Sequence, residues 1–127
     1  MSDPTPGRTS WAFSAGHLPL RSTGHEPEFT GRDELCLLNT TDRDSRAQIT
    51  IYRTDQEPIG PFEIVVGARR VRHVRINDLI DPQPVPLAVP YGMTVVSDMP
   101  LVLQVKHVDT SQAALGVAIS SGLPGDG

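Results

Sequence analysis

Twelve prolines and eleven glycines punctuate the 127 residues, and few of the segments between them are long enough for an ordinary helix. Strands need only about four to eight residues, and the clusters of Val, Ile and Leu between the breakers supply the apolar surface that a disordered chain lacks. The pattern predicts an all-β domain. About eight short strands, spaced by turn signals at roughly 8 to 12 residues, argue for an antiparallel β-sandwich of jelly-roll-like arrangement. A chain of this length holds one core. The expected organisation is a flexible N-terminus over 1–8, a single sandwich domain over 9–121 and a flexible tail over 122–127.

Strand candidates follow from periodicity. Thr9 to Ala15 places Trp11 and Phe13 on one side. Glu34 to Asn39 is a nearly continuous apolar run, which suits a strand covered on both faces. Arg46 to Arg53 alternates most clearly, with Ala47, Ile49 and Ile51 on one face and Gln48, Thr50 and Tyr52 on the other. Phe62 to Val66 and Arg69 to Asn77 come next, and the proline-rich stretch Asp81 to Pro90 reads as a long connection or an edge. Gly92 to Ser97 and Leu101 to Val108 read as two strands separated by Asp98-Met99-Pro100. Gln112 to Ser120 is a last strand or a short helix.

Composition excludes several functions. The net charge of -4 gives no general attraction to nucleic acid or anionic lipid, so any basic surface must be local. The only cysteine, Cys36, forms no disulfide framework within the chain and reads as a small buried hydrophobe. The N-terminal residues lack signal-peptide order, and no apolar run approaches the roughly 18 residues that span a bilayer. The expectation is a cytoplasmic protein not itself inserted in a membrane. His17, His25, His73 and His107 are scattered without the spacing of a zinc site, so neither a metal nor another cofactor is expected. Ser97-Asp98 and His107 occur without a nucleophile-elbow motif, and the paired Glu26 and Glu28 read as solvated loop acids. The chain is expected to bind rather than to catalyse.

Its most unusual segment is Arg69-Arg70-Val71-Arg72-His73-Val74-Arg75-Ile76-Asn77-Asp78, with four of the ten arginines within seven residues. In an ideal strand Arg70 and Arg72 point one way while Arg69, Val71, His73 and Arg75 point the other, so neither face is apolar. A bulge or a subunit contact would resolve the conflict. Three readings stand: a guanidinium cluster for carboxylate or phosphate, a solvated edge strand whose charges discourage aggregation, and pairing with acids in an oligomer. Asn77-Asp78 has the chemistry of a turn cap. Trp11 reads as core, with a sugar-stacking platform as the alternative. Nucleic acid is disfavoured, because the basic strand lacks interleaved aromatics.

Several segments in order resemble the sensory rhodopsin transducer family. They are Gly7-Arg8-Thr9 with Trp11-Ala12, Gly16 with Pro19, Glu26-Pro27-Glu28-Phe29, Cys36-Leu37-Leu38-Asn39, Ile49-Thr50-Ile51-Tyr52 and Glu57-Pro58-Ile59-Gly60-Pro61-Phe62. Ala68 to Leu79, Ser97-Asp98-Met99-Pro100, Gln104 and Asp109 complete the set. The resemblance implies an antiparallel β-sandwich that assembles as a homotetramer and acts as a signalling adaptor for a membrane photoreceptor or another signalling protein. The alternative is a carbohydrate- or metabolite-binding sandwich unrelated to light, marked by Trp11 facing an open pocket beside Arg75 and Asn77. By position, the ligand- or partner-binding residues are Trp11, Glu26, Asn39, Arg70, His73, Arg75, Asn77, Asp78, Gln104 and Asp109. One departure stands out: the family reads His-Thr-Arg-Leu where this chain has Val105-Lys106-His107-Val108.

Overall fold

The computed structural model describes residues 5–17, 32–76, 79, 90–109, 116–121 and 123–124. Nearly all of them are in strands: β1 (Arg8–His17), β2 (Arg32–Asn39), β3 (Ser45–Arg53), β4 (Ile59–Val66), β5 (Arg70–Arg75), β6 (Pro90–Asp109), β7 (Gly116–Ser121) and β8 (Leu123–Pro124). Every pairing is antiparallel. The all-β, antiparallel expectation holds. The ladder is continuous rather than divided into two independent sheets, because β6 belongs to both halves. One half runs β4-β3-β6-β1-β8, and in the other β6 carries β2 and β7, with β5 on the far side of β2.

β6 explains how the sheet curls. Its first part faces β3 up to Ser97, and its second part faces β2 from Val102 onward. Between them lies the Asp98-Met99-Pro100 segment that sequence reads as a break. The strand continues through it because neither β3 nor β2 needs the missing Pro100 N–H there. Side chains take over from the ladder: Ser45 and Ser97 hydroxyls donate to the Met99 carbonyl at 2.9 and 2.7 Å. The Arg46 N–H donates to Asp98 Oδ1 at 2.8 Å, and the Trp11 indole N–H to the Leu101 carbonyl at 2.9 Å.

Odd-numbered residues of β2, β3 and β6 turn inward. Leu35, Leu37, Ala47, Ile49, Ile51, Met93, Val95, Leu101, Leu103 and Val105 form one buried cluster with Phe62, Ile64 and Val66 of β4, and Trp11 and Phe13 pack against it. Burying a side chain of this kind stabilises by about 1.5–3 kcal/mol, so the two-residue period of β3 and β6 fixes which face closes the core. Gly60 (φ +142°) sits where the β3–β4 register shifts, and a Cβ there would lie 2.8 Å from the Ile49 carbonyl oxygen.

Three further readings change. The arginine-rich strand β5 carries no bulge against β2, because Arg72 resolves the conflict by reaching from the sheet edge to the Val65 carbonyl of β4 at 2.8 Å. Residues 116–121 form a strand, which settles the strand-or-helix alternative there. Leu123–Pro124, within the expected tail, pairs with β1 opposite Trp11 and Ala12.

Candidate functional site

β2 lies between β5 and β6, and the registers align side chains across all three strands on the outward face. One row is Arg75, Glu34 and Lys106; the next is His73, Cys36 and Gln104; the third is Val71, Leu38 and Val102. Three of the residues singled out by motif, His73, Arg75 and Gln104, therefore share one face. His73 Nδ1 is 3.8 Å from Glu34 Oε1, a cross-strand diagonal contact. Glu34 sets a negative charge between Arg75 and Lys106, so the row alternates in sign across the three strands.

Cys36 lies in this face rather than in the core, which corrects its reading as a buried hydrophobe. The apolar run of β2 is covered on its inward side only: Leu35 and Leu37 are buried, whereas Leu38 is 39% exposed. Partial burial pushes the Cys36 thiol above its ordinary range, Glu34 adds to the rise, and Lys106 partly opposes it.

Behind the outward face lies a buried polar cluster. Asp33 is 1% exposed and opposes His107 across the β2–β6 ladder. Its Oδ1 is 2.8 Å from His107 Nδ1, and its Oδ2 accepts the Tyr91 hydroxyl at 2.5 Å. Burial pushes the Tyr91 phenol far above its ordinary range, and the charge and hydrogen bond of Asp33 push it further. Asp33 and Tyr91 were missed from sequence. The available signal was Asp33 occupying the same alternate positions as Leu35 and Leu37, a carboxylate on the core side of a strand.

Among the remaining motif residues, Trp11 and Asn39 are placed apart from that face. Trp11 points inward, with its indole N–H donating to the Arg8 and Leu101 carbonyls at 3.1 and 2.9 Å. Asn39 is fully buried at the end of β2. Its Nδ2 donates to the carbonyls of Arg43, Val66 and Gly67 at 2.7, 3.1 and 3.3 Å, and its Oδ1 accepts from Thr41 N–H and Oγ1 at 3.0 and 2.7 Å. Arg70 is exposed at the start of β5 and donates to the Ala68 and Arg69 carbonyls. Asp109 ends β6 opposite Gly116. Glu26, Asn77 and Asp78 lie outside the described residues. Among the described residues, no group of three or more His, Cys, Asp or Glu is placed to hold a metal ion, and no helix is long and apolar enough to cross a membrane.

The chain matches the profile of the family described as Anabaena sensory rhodopsin transducer over residues 6–122. It belongs to that family. Among solved structures it is similar to the Anabaena sensory rhodopsin transducer itself, with 40% identity and a TM-score of 0.71 over 80% of this chain and 95% of that one. A Thermotoga maritima protein gives a TM-score of 0.83 at 24% identity, covering 96% of this chain and 98% of that one, and speaks for the fold alone. No curated protein matches in sequence. His107, in the stretch Val105-Lys106-His107-Val108, is the residue that meets buried Asp33.

Proposed function

We propose that the protein is a non-enzymatic signalling adaptor of the transducer type, cytoplasmic and homotetrameric, that receives a partner protein or small polar ligand on the outward face of β5, β2 and β6. The observation that carries this reading is the convergence of His73, Arg75 and Gln104, three motif-matched residues from two strands far apart in sequence, on one face. Arg75 is the recognition residue, since a guanidinium offers a planar fork to a carboxylate. Glu34 and Lys106 give the face its alternating charge, which discriminates between partners more than it adds affinity. Glu26, Asn77, Asp78 and Asp109 join the site on the strength of their motif positions. Trp11 and Asn39 serve the scaffold, and Arg70 borders the face.

The adaptor reading is favoured over a carbohydrate-binding one because the half-buried Trp11 on β1 packs against the core and donates its indole N–H to the Leu101 carbonyl, rather than standing beside Arg75 on β5. A sensory rhodopsin is the partner suggested by the family relationship.

The test is a calorimetric titration of the purified protein into Anabaena sensory rhodopsin in detergent micelles, with the adaptor's mass followed by light scattering. Saturable binding by a particle of four chains is expected. A monomer, or a tetramer that neither binds the receptor nor gains thermal stability from organic acids, sugars or nucleotides, overturns the reading.

A further inference from the structure

At the opposite end of β2 from Asp33, two turns interlock. Residues 40–44 join β2 to β3, and residues 67–69 join β4 to β5. Buried Asn39 holds both by donating to carbonyls on each side, and the turns also bond directly. Arg69 N–H donates to the Thr41 carbonyl at 3.0 Å, and Ala68 N–H to Asp44 Oδ1 at 3.0 Å.

This braced tip presents Arg43, Arg69, Arg70 and Arg72, all exposed. Among the described residues none of the four is ion-paired, whereas nearby Arg46 is neutralised by Glu63 at 2.8 Å. Arg70 and Arg72 are steadied by neutral backbone carbonyls instead, Arg69 O at 3.1 Å and Val65 O at 2.8 Å, so their charge is kept. The turns' own acids, Asp42 and Asp44, leave a surplus of two positive charges on a chain whose net charge is -4. Arg69 stands at φ 52°, a left-handed position that favours glycine, yet it carries a guanidinium.

A second feature coincides with the first. Three of the five large hydrophobic residues exposed among the described residues are at this end: Leu38 at 39%, Val65 at 37% and Val71 at 60%. Val71 lies between Arg70 and Arg72 and directly opposite Leu38. Val71 and Leu38 project from the outward side of the strands and Arg70 and Arg72 from the other, so the end of the sheet presents cations around exposed aliphatics. That arrangement matches the chemistry of a bilayer interface, where lipid phosphates meet the acyl boundary. A nucleic acid fits less well, since the tip lacks aromatics for stacking and the rest of the chain is acidic. A planar surface met end-on keeps that acidic remainder at a distance.

We propose that this tip docks the protein on an anionic phospholipid surface, with Arg43, Arg69, Arg70 and Arg72 engaging phosphates and Val71, Leu38 and Val65 resting at the acyl boundary. The proposal does not depend on the adaptor reading, because protein-free vesicles test it without any receptor.

The experiment is co-sedimentation with vesicles of phosphatidylglycerol and phosphatidylcholine against vesicles of phosphatidylcholine alone. Binding is expected to the anionic vesicles only and to weaken as salt shortens the screening length. The Arg43→Glu/Arg69→Glu variant, whose altered side chains bond nothing among the described residues, should bind at least about tenfold more weakly while its circular dichroism and melting remain native. Arg43→Lys/Arg69→Lys should retain binding, and Val71→Ser should reduce it. No anionic-vesicle binding, equal binding to neutral vesicles, or undiminished binding by the charge-reversed variant overturns the proposal. So does a change in that variant's mass by light scattering, which would assign the tip to a contact between copies.

Discussion

Tyr91, at the start of β6, donates its phenol to Asp33 on β2 at 2.5 Å, and so ties the two halves of the curled sheet together through a carboxylate that is 1% exposed. His107, near the end of the same strand β6, meets the other oxygen of that carboxylate at 2.8 Å. One buried acid thus fixes both ends of the longest strand. Removing one partner leaves a buried oxygen short of a donor, which costs about 1–3 kcal/mol, and more where the group is charged. Tyr91→Phe is expected to lower unfolding free energy by about that amount in urea titration. A midpoint identical to wild type would show that the tie carries no stability.

The same contact sets a dependence on alkaline pH. Burial and Asp33 raise the Tyr91 phenol in the folded chain above its unfolded value of about 10. Its contribution to stability is therefore fully present below about pH 10 and is lost as pH rises beyond it, because only the unfolded state readily releases the proton. Melting temperatures measured from about pH 8 to 11 should fall more steeply for wild type than for Tyr91→Phe. Parallel curves would contradict this.

The two N–H groups of Asn39 Nδ2 are shared among three carbonyls, and its Oδ1 accepts two donors, at the junction of the interlocked turns. Asn39→Ala should destabilise by about 2–4 kcal/mol, through unpaired carbonyls and the vacated space. Asn39→Asp should fare no better, since an ionised carboxylate donates nothing. Chemical unfolding of both variants checks the magnitude, and a loss below about 0.5 kcal/mol for either would mean that water replaces the amide.

Gly7 holds φ +99°, and a Cβ there would lie 2.4 Å from the Leu101 carbonyl oxygen that accepts the Trp11 indole N–H. Gly7→Ala should therefore cost about 2 kcal/mol or more and shift the fluorescence of the only tryptophan together with the melting temperature. Native fluorescence with native melting would show that the β1 entry yields freely.

The two-residue period made much of the fold legible. Ala47, Ile49 and Ile51 were assigned one face of β3, and they are all buried. β2 was harder: a run such as Glu34 to Asn39 does not reveal which side is covered, so Cys36 and Leu38 read as core although they face outward. The break expected at Pro100 was misplaced because sequence cannot show that β3 ends and β2 begins beside it. At the candidate site, motif order brought out His73, Arg75 and Gln104. It could not reveal that Asp33 meets residues 58 and 74 positions away, since such contacts depend on how β6 crosses the sheet. Asn39 and Trp11 were singled out by motif position, and in the structure the Asn39 amide bonds the turn carbonyls while the Trp11 indole bonds the Leu101 carbonyl.

The partner face is tested most directly by titrating sensory rhodopsin in detergent with Arg75→Ala, Gln104→Ala and Arg46→Ala, each first shown to melt and scatter light as wild type does. Arg75→Ala is expected to weaken binding by about tenfold or more, equivalent to about 1.4 kcal/mol. Gln104→Ala should weaken it less, and Arg46→Ala, on β3, not at all. Equal affinity for all three variants would contradict the assignment of binding to the face of β5, β2 and β6.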